Sequence, residues 1–380
     1  MRRGAWFGAA VALLVVGGLV FTVLKWIDSP DDPPTPPTPP VAKITGVVGS
    51  EKNAFFQDSG VKAALAAKGL DVSVASAGSW QMNDVKKESA DFVFPASQLP
   101  ADEVAHQNQV TGTLARPFYS PLVIVTHTDV ANVLKENNLA KQDPGSKLWT
   151  FSMGEFLKAV GAGRRWDQLN ATNRPSSLSG DIFLTTTNPE TSSSGTLYIA
   201  MVAYLLNNKQ VVKDQATVDA IAPALRDAIN KQGSMKNSTE EPFNDFVSNN
   251  GHPLVLAYES QVLRLALDGT GSMPKDMVML YPDVTITSDH TLVGFTPDGL
   301  KLGKVLTEEP KLRELEVKYG FRPTGSVAGT EEFAAEVRGL NGTPGTPGFT
   351  FAPDLGAAGI GLASVPRPEI MKSLVQAVKK

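Results

Sequence analysis

The 380-residue chain contains no cysteine. That excludes disulfides, thiolate nucleophiles, zinc–sulfur sites and a lipid carried on an N-terminal cysteine. Nor is there a surplus of positive charge. The 35 Lys and Arg stand against 39 Asp and Glu, a net charge of −4, and such a balance does not favour nucleic acid. Histidine is scarce: His106, His127, His252 and His290 form no HExxH pattern, and no serine sits in a GxSxG elbow. Asp289 and His290 follow Ser288, but adjacent residues of a strand face opposite ways, so His290 is read as a surface or hinge residue. The chain is therefore read as not an enzyme, with no metal and no cofactor. What is present is 42% hydrophobic and 19% charged residues, enough for two or three domains with real cores.

The first 40 residues stand apart. Arg2 and Arg3 precede an uncharged apolar run from Ala5 to Leu24, closed by Lys25, Trp26 and Ile27. A run of about 20 residues at about 1.5 Å each matches a bilayer core, whereas a cleaved signal has a shorter apolar region and a small-residue exit. Residues 1–27 are expected to be an uncleaved membrane anchor with a cytoplasmic tip, leaving the rest outside the cell. Seven of the eleven residues from Pro30 to Pro40 are proline, so residues 28–40 read as a polyproline stalk.

From Val41 the pattern alternates strand and helix. Ile44–Val48, Asp71–Ala75, Asp91–Phe94 and Leu122–Thr126 read as strands, Phe55–Ala67 as a helix, and the alternation implies an α/β fold with a mainly parallel sheet. Ser50, Ser79 and Ser97 each follow a strand, the place where open sheets bind ligands. Each is either an N-cap or a hydrogen-bond donor to a ligand. Asp181–Leu184 reads as another strand. The hydroxyl-rich run Thr185–Gly195 then leads into an apolar helix at Leu197–Leu206, so Ser192, Ser193 and Ser194 sit at a positive helix end. That loop has no P-loop lysine, which argues against nucleotides.

Several ordered stretches resemble a known family. They are Gly78-Ser79-Trp80-Gln81, Phe94-Pro95-Ala96-Ser97-Gln98, Ser120–Val125, Thr187-Asn188-Pro189-Glu190-Thr191-Ser192-Ser193-Ser194-Gly195, Ala257-Tyr258-Glu259-Ser260-Gln261, Leu280-Tyr281-Pro282, Ser288-Asp289-His290 and Tyr319-Gly320-Phe321-Arg322. Together they resemble a type II extracellular solute-binding protein, of the group that includes molybdate- and sulfate-binding proteins. The similarity is greatest to a bacterial subfamily often associated with von Willebrand factor A domains. The resemblance implies two α/β lobes joined by two crossing strands: lobe 1 from 41–120 plus 291–380, and lobe 2 from 121–290. It implies a ligand site of Ser50, Ser79, Trp80, Ser97, Asn188, Ser192, Ser193, Ser194, Tyr258 and Glu259. It implies a small polar solute, an oxyanion among the candidates, and delivery to an ABC-type permease. The alternative is a sensor or assembly protein that binds a protein partner, a von Willebrand factor A protein among them. Glu259 complicates an anion site: either it turns away to pair with Arg264 or another base, or the ligand is cationic. Trp80 either stacks on the ligand or closes the core, and Arg116 and Arg322 either reach the cleft or pin the lobes. Residues 327–380 exceed the family pattern; Pro368–Lys380 reads as an amphipathic helix that packs on the hinge or docks a partner.

Overall fold

The computed structural model describes residues 41–268, 272–325, 327–341 and 348–379. The expected anchor and stalk lie outside these residues. Among the described residues no helix is long and apolar enough to cross a membrane.

The first lobe is built on β1 (Ala42–Val48), β2 (Leu70–Ser76) and β3 (Phe92–Phe94), with β1 central and parallel to both neighbours. The helical stretch expected at Phe55–Ala67 is broken. Asp58 adopts an extended backbone between α1 (Asn53–Gln57) and α2 (Ser59–Ala67), and its carboxylate caps α2 by accepting from Val61 N at 2.9 Å. After β3 comes α3 (Gln98–Gln107). This lobe's main core is aromatic: Phe55, Phe56, Phe92 and Phe94 meet Phe118 and Phe321 from the crossing segments.

The chain leaves this lobe along β4 (Phe118–His127), whose first residues lie in the first core and whose Leu122–Val125 lie in the second. The second lobe adds α4 (Thr128–Glu136), β5 (Ala140–Gln142), β6 (Trp149–Phe151) and α5 (Met153–Gly161). The long helices α6 (Ser193–Leu206) and α7 (Gln215–Asn230) follow, then α8 (Glu240–Val247), β7 (Val255–Tyr258), α9 (Glu259–Leu267) and β8 (Met277–Pro282). Here the mainly parallel expectation fails. β4 runs antiparallel to both β7 and β8, and only β6 pairs parallel with β8. A chain that enters and leaves the same sheet on neighbouring strands must run in opposite directions. Asp181–Leu184 is also not a strand. It makes only isolated bridges, at Asp181 with Arg165 and at Thr185 with Val255.

The return passes through β9 (Val284–Thr285) and β10 (Thr287–Asp289), the latter antiparallel to β4, and reaches β11 (Val293–Gly294) on the edge of the first sheet. Then α10 (Pro297–Glu308) and α11 (Pro310–Lys318) complete the first core, and β12 (Arg322–Pro323) pairs with the start of β4. The tail does not remain with lobe 1 as expected. Phe333 and Val337 of α12 (Val327–Asn341), Phe349, Phe351, and Met371 and Leu374 of α13 (Pro368–Lys379) all join the second lobe's core. β13 (Gly361–Leu362) pairs with β9 in parallel.

One buried ion pair fastens these parts. Arg322 Nε and Nη2 donate to the two oxygens of Glu259 at 2.6 and 2.8 Å, and Nη2 also donates to Ala352 O at 2.6 Å. Tyr281 donates to Glu259 while accepting from Ala352 N at 3.0 Å. Substituting Arg322 by Met leaves Glu259 buried and uncompensated, with an expected loss of about 3–5 kcal/mol. Arg322→Lys recovers little of it, since an ammonium cannot reproduce the fork. Urea unfolding measures both; a cost below about 1 kcal/mol for Arg322→Met would show that the pair is dispensable.

Candidate functional site

The loops at the carboxyl ends of β2 and β3 face the start of α6, the loop after β1 faces Ser238 just before α8, and the two lobes meet through hydroxyl groups. Ser97 Oγ lies 2.7 Å from Ser193 Oγ, and Ser50 Oγ lies 3.0 Å from Ser238 Oγ. Ser97 and Ser192 occupy N-cap positions, yet neither side chain caps its helix. Ser97 reaches across to the other lobe, while Ser192 bonds Ser194 Oγ at 3.0 Å. Ser194 gathers two further hydroxyls, Thr187 at 2.6 Å and Thr239 at 3.0 Å.

Two glycines permit this approach. A Cβ on Gly195 would stand 2.3 Å from Thr187 O, and one on Gly78 would stand 2.5 Å from Thr191 O. Any side chain at either position would push the hydroxyl loop away. Beside Gly78, Trp80 ties the lobes rather than lying free: its backbone N–H donates to Thr191 O at 3.1 Å and its indole N–H to Thr196 Oγ1 at 2.7 Å. The Trp80 ring also lines a cavity of about 330 Å³ at the rim, whose other walls include Glu103, Glu190, Met371 and Lys372.

Two expected site residues shape loops. Ser79 accepts from Ala96 N at 3.0 Å, fixing the turn that carries Ser97. Asn188 accepts from Glu190 N through Oδ1 at 2.9 Å and donates its own N–H to Lys236 O, so it builds the turn before α6. Glu259 is the clear displacement. Although adjacent to Tyr258, it is wholly buried on Arg322 and Tyr281, on neither Arg264 nor the serines.

Tyr258 lies beside these hydroxyls. It is buried, and its hydroxyl lies among Ser194, Thr239 and Ser288 without closing a hydrogen bond to any of them. Burial, reinforced by the charge of Glu51, pushes its phenol well above the usual range, so it remains a neutral donor and acceptor.

A charged cluster that the strand-and-serine pattern does not anticipate lies beside Ser50. Lys52 is 0% exposed, donates to Glu51 and lies 3.0 Å from His290 Nδ1. His290, expected at a surface or hinge, is fully buried with Nε2 unpartnered. Burial first, and the neighbouring ammonium second, hold its pKa well below normal, so the ring is neutral. Burial likewise lowers Lys52, with Glu51 opposing the shift. Across the seam, Glu240 is raised by burial despite Arg264 Nη2 at 3.7 Å. The one available signal was the unbroken polar run Ser50-Glu51-Lys52 directly after a buried strand, where a lysine must find partners if it is to be buried. Among the described residues no group of three or more His, Asp or Glu could hold a metal.

Comparison with known proteins agrees with this geometry. The family described as bacterial extracellular solute-binding protein matches residues 52–290. A search of curated proteins finds no match. Among solved structures, the sulfate-binding protein SubI from Mycobacterium tuberculosis H37Rv aligns with TM-score 0.50 and 16% identity over 83% of this chain and 98% of its own. A periplasmic thiamin binding protein aligns with TM-score 0.50 and 14% identity over 90% and 97%. Iron-bound HitA from Pseudomonas aeruginosa gives TM-score 0.50 and 12% identity over 90% and 100%. At these identities the structures establish the two-lobed fold and not the ligand. Because the family match covers more than half of the sequence, the chain belongs to the bacterial extracellular solute-binding protein family.

Proposed function

We propose that this chain is a solute receptor held at the outer face of the cell membrane by its N-terminal apolar segment. Its lobes close on a small polar ligand for an ABC-type permease. The observation that carries this reading is the pair of serine contacts across the lobes, Ser97 to Ser193 and Ser50 to Ser238. Hydroxyls that meet directly across a seam exchange those contacts for bonds to a ligand without leaving a buried charge unpaired. Tyr258 adds an unpartnered hydroxyl beside them.

A second reading keeps the fold but assigns it to sensing or assembly with a protein partner. The observation favouring it is the C-terminal extension. β13 pairs with β9 on the returning crossing segment, and Ala363 N donates to Thr285 O at 2.7 Å. α13 packs on α6 and α7, and its Lys372 reaches Glu103 of the first lobe at 3.0 Å. A hinge and rim so braced suit a receptor whose output is shape as well as transport.

Melting the full chain with oxyanions, amines, amino acids and sugars tests the first reading. A ligand at 100 times its Kd adds about 2.7 kcal/mol, enough for a shift of several degrees. Ser193→Ala is expected to weaken the hit about three- to tenfold, the worth of one lost hydrogen bond, while a panel without any shift would sink the reading.

Lobe motion separates the two readings. With no native cysteine, Ser89→Cys and Asp219→Cys place one label on each lobe. Closure on ligand, seen as a shorter label distance, is the outcome expected of a receptor. An unchanged distance together with tight solute binding would favour the partner-binding role. Lys372→Glu should open the unliganded molecule by no more than about fivefold, as an exposed ion pair allows, and the added Glu103→Lys should restore it.

A further inference from the structure

We propose that the cavity at the rim is a second binding site, separate from the serine contacts, and that it takes a small neutral molecule built around an apolar ring. The proposal goes beyond the solute-receptor reading and does not depend on it. The cavity has a volume of about 330 Å³, and none of the serines that meet between the lobes is in its wall. That volume stands at the small end of the roughly 300–1,000 Å³ typical of ligand pockets, so the occupant is compact.

The wall comes from three parts of the chain. Trp80 and Leu99 belong to the first lobe, Pro189 to the loop before α6, and Met371 and Val375 to α13. Each part is fixed before anything binds. Thr196 Oγ1 accepts the indole N–H of Trp80 at 2.7 Å and donates to Pro189 O at 2.9 Å, so one hydroxyl positions both residues. The end of α13 is tied to α7, where Arg226 Nη1 donates to Ala377 O at 2.9 Å and Asn230 Nδ2 to Val378 O at 2.8 Å. Ile370, Met371 and Leu374 of the same helix are buried. A cavity held in this way needs little ordering when it is filled.

The chemistry of the wall selects the occupant. The indole N–H of Trp80 is committed to Thr196, so its ring offers the cavity apolar and π contact only. Leu99, Pro189 and Val375 extend that surface, and the Met371 thioether adds a favourable neighbour for an aromatic ring. The charged members of the wall, Glu103, Glu190 and Lys372, are all paired. Lys372 Nζ lies 3.0 Å from Glu103 Oε2, and Lys379 Nζ lies 2.7 Å from Glu190 Oε1. The hydrogen bond from Lys372 holds Glu103 below the usual carboxylate range, so that pair stays ionised. Two acids and two bases leave no net charge, and a charged occupant would enter with no counter-charge waiting for it. The amides of Asn83 and Gln376 complete the polar wall, and they suit a single hydroxyl or N–H on the ligand. A molecule seated there touches all three parts at once, and so favours the arrangement in which they meet.

Calorimetric titration of the full chain with phenol, benzyl alcohol and indole, set against benzoate and benzylammonium, tests the class. Saturable binding of at least one neutral probe is expected, at least tenfold tighter than that of either charged ring. Val375→Phe fills the cavity from α13 and Leu99→Phe fills it from the first lobe, and each is expected to weaken that binding at least tenfold. Both side chains are only half-buried. Unliganded melting verifies each fold, and misfolding of one variant leaves the other to decide. Neutral-probe binding undiminished in both variants would remove the probe from the cavity and overturn the site. A charged ring binding as tightly as the neutral ones would overturn the class. A loss in Ser193→Ala as deep as in the filling variants would put the probe at the serine contacts and overturn the separation of the two sites. Silence from all five probes would overturn the proposal, while the solute-receptor reading would stand or fall by its own panel.

Discussion

The Glu259–Arg322 pair is the constraint on which the rest of the architecture depends. Glu259 opens α9, directly after Tyr258, and Arg322 stands in β12 against the first residues of β4. A guanidinium that donates to both carboxylate oxygens and to a backbone carbonyl fixes distance and orientation together. Through it the start of a second-lobe helix, a crossing strand and the Ala352–Pro353 segment of the extension are fastened at one point. Phe333 of α12 covers the guanidinium with its ring at 4.0 Å. Such a pair is costly to desolvate and stabilises only with its geometry complete. Here the bidentate contact, the Tyr281 hydroxyl and two carbonyls supply that geometry.

The same pair determines what the site can be. Because Glu259 is fully committed behind the hinge, Tyr258 faces the hydroxyls of α6 without a carboxylate at its side. The carboxylates nearest the serines in sequence, Glu51 and Glu240, are each paired with a cation of their own. The interior is thus charge-balanced, while its inner edge is lined by oxygens of both lobes. The hydroxyl contacts between the lobes, Ser97 to Ser193 and Ser50 to Ser238, each contribute only about 1 kcal/mol.

Much of this was legible in the sequence. β4 stood out by its continuous apolar run, β1 and β3 as short β-branched or aromatic stretches, and the serines at the ends of β1 and β3 followed from sheet geometry. The apolar stripe of α13 was equally plain. Its docking place was not, because Ile370, Met371, Leu374 and Val378 say that a helix must bury a face and not which face receives it. Asp181–Leu184 misled for a related reason: Ile182 and Leu184 are buried as in a strand, yet neighbouring backbone bridges the stretch only at isolated points at its two ends. Glu259 misled through adjacency, since its partner stands 63 positions later. Lys52 and His290 are separated by 238 positions, and one-dimensional spacing carries no trace of that contact.

The extension then alters the mechanics of a familiar architecture. β9 is held on one side by Leu122, whose carbonyl accepts from Thr285 Oγ1 at 2.6 Å, and on the other by β13. A crossing segment bonded on both sides cannot change its dihedrals without carrying β13 along. The extension therefore moves with the second lobe and the hinge. Its contact with the first lobe at the rim is the Lys372–Glu103 pair, exposed enough to contribute at most about 1 kcal/mol. Stiffness thus resides behind the hinge, and the rim yields easily. In that arrangement the extension braces the hinge through β13 and meets the first lobe at the rim through an exposed ion pair.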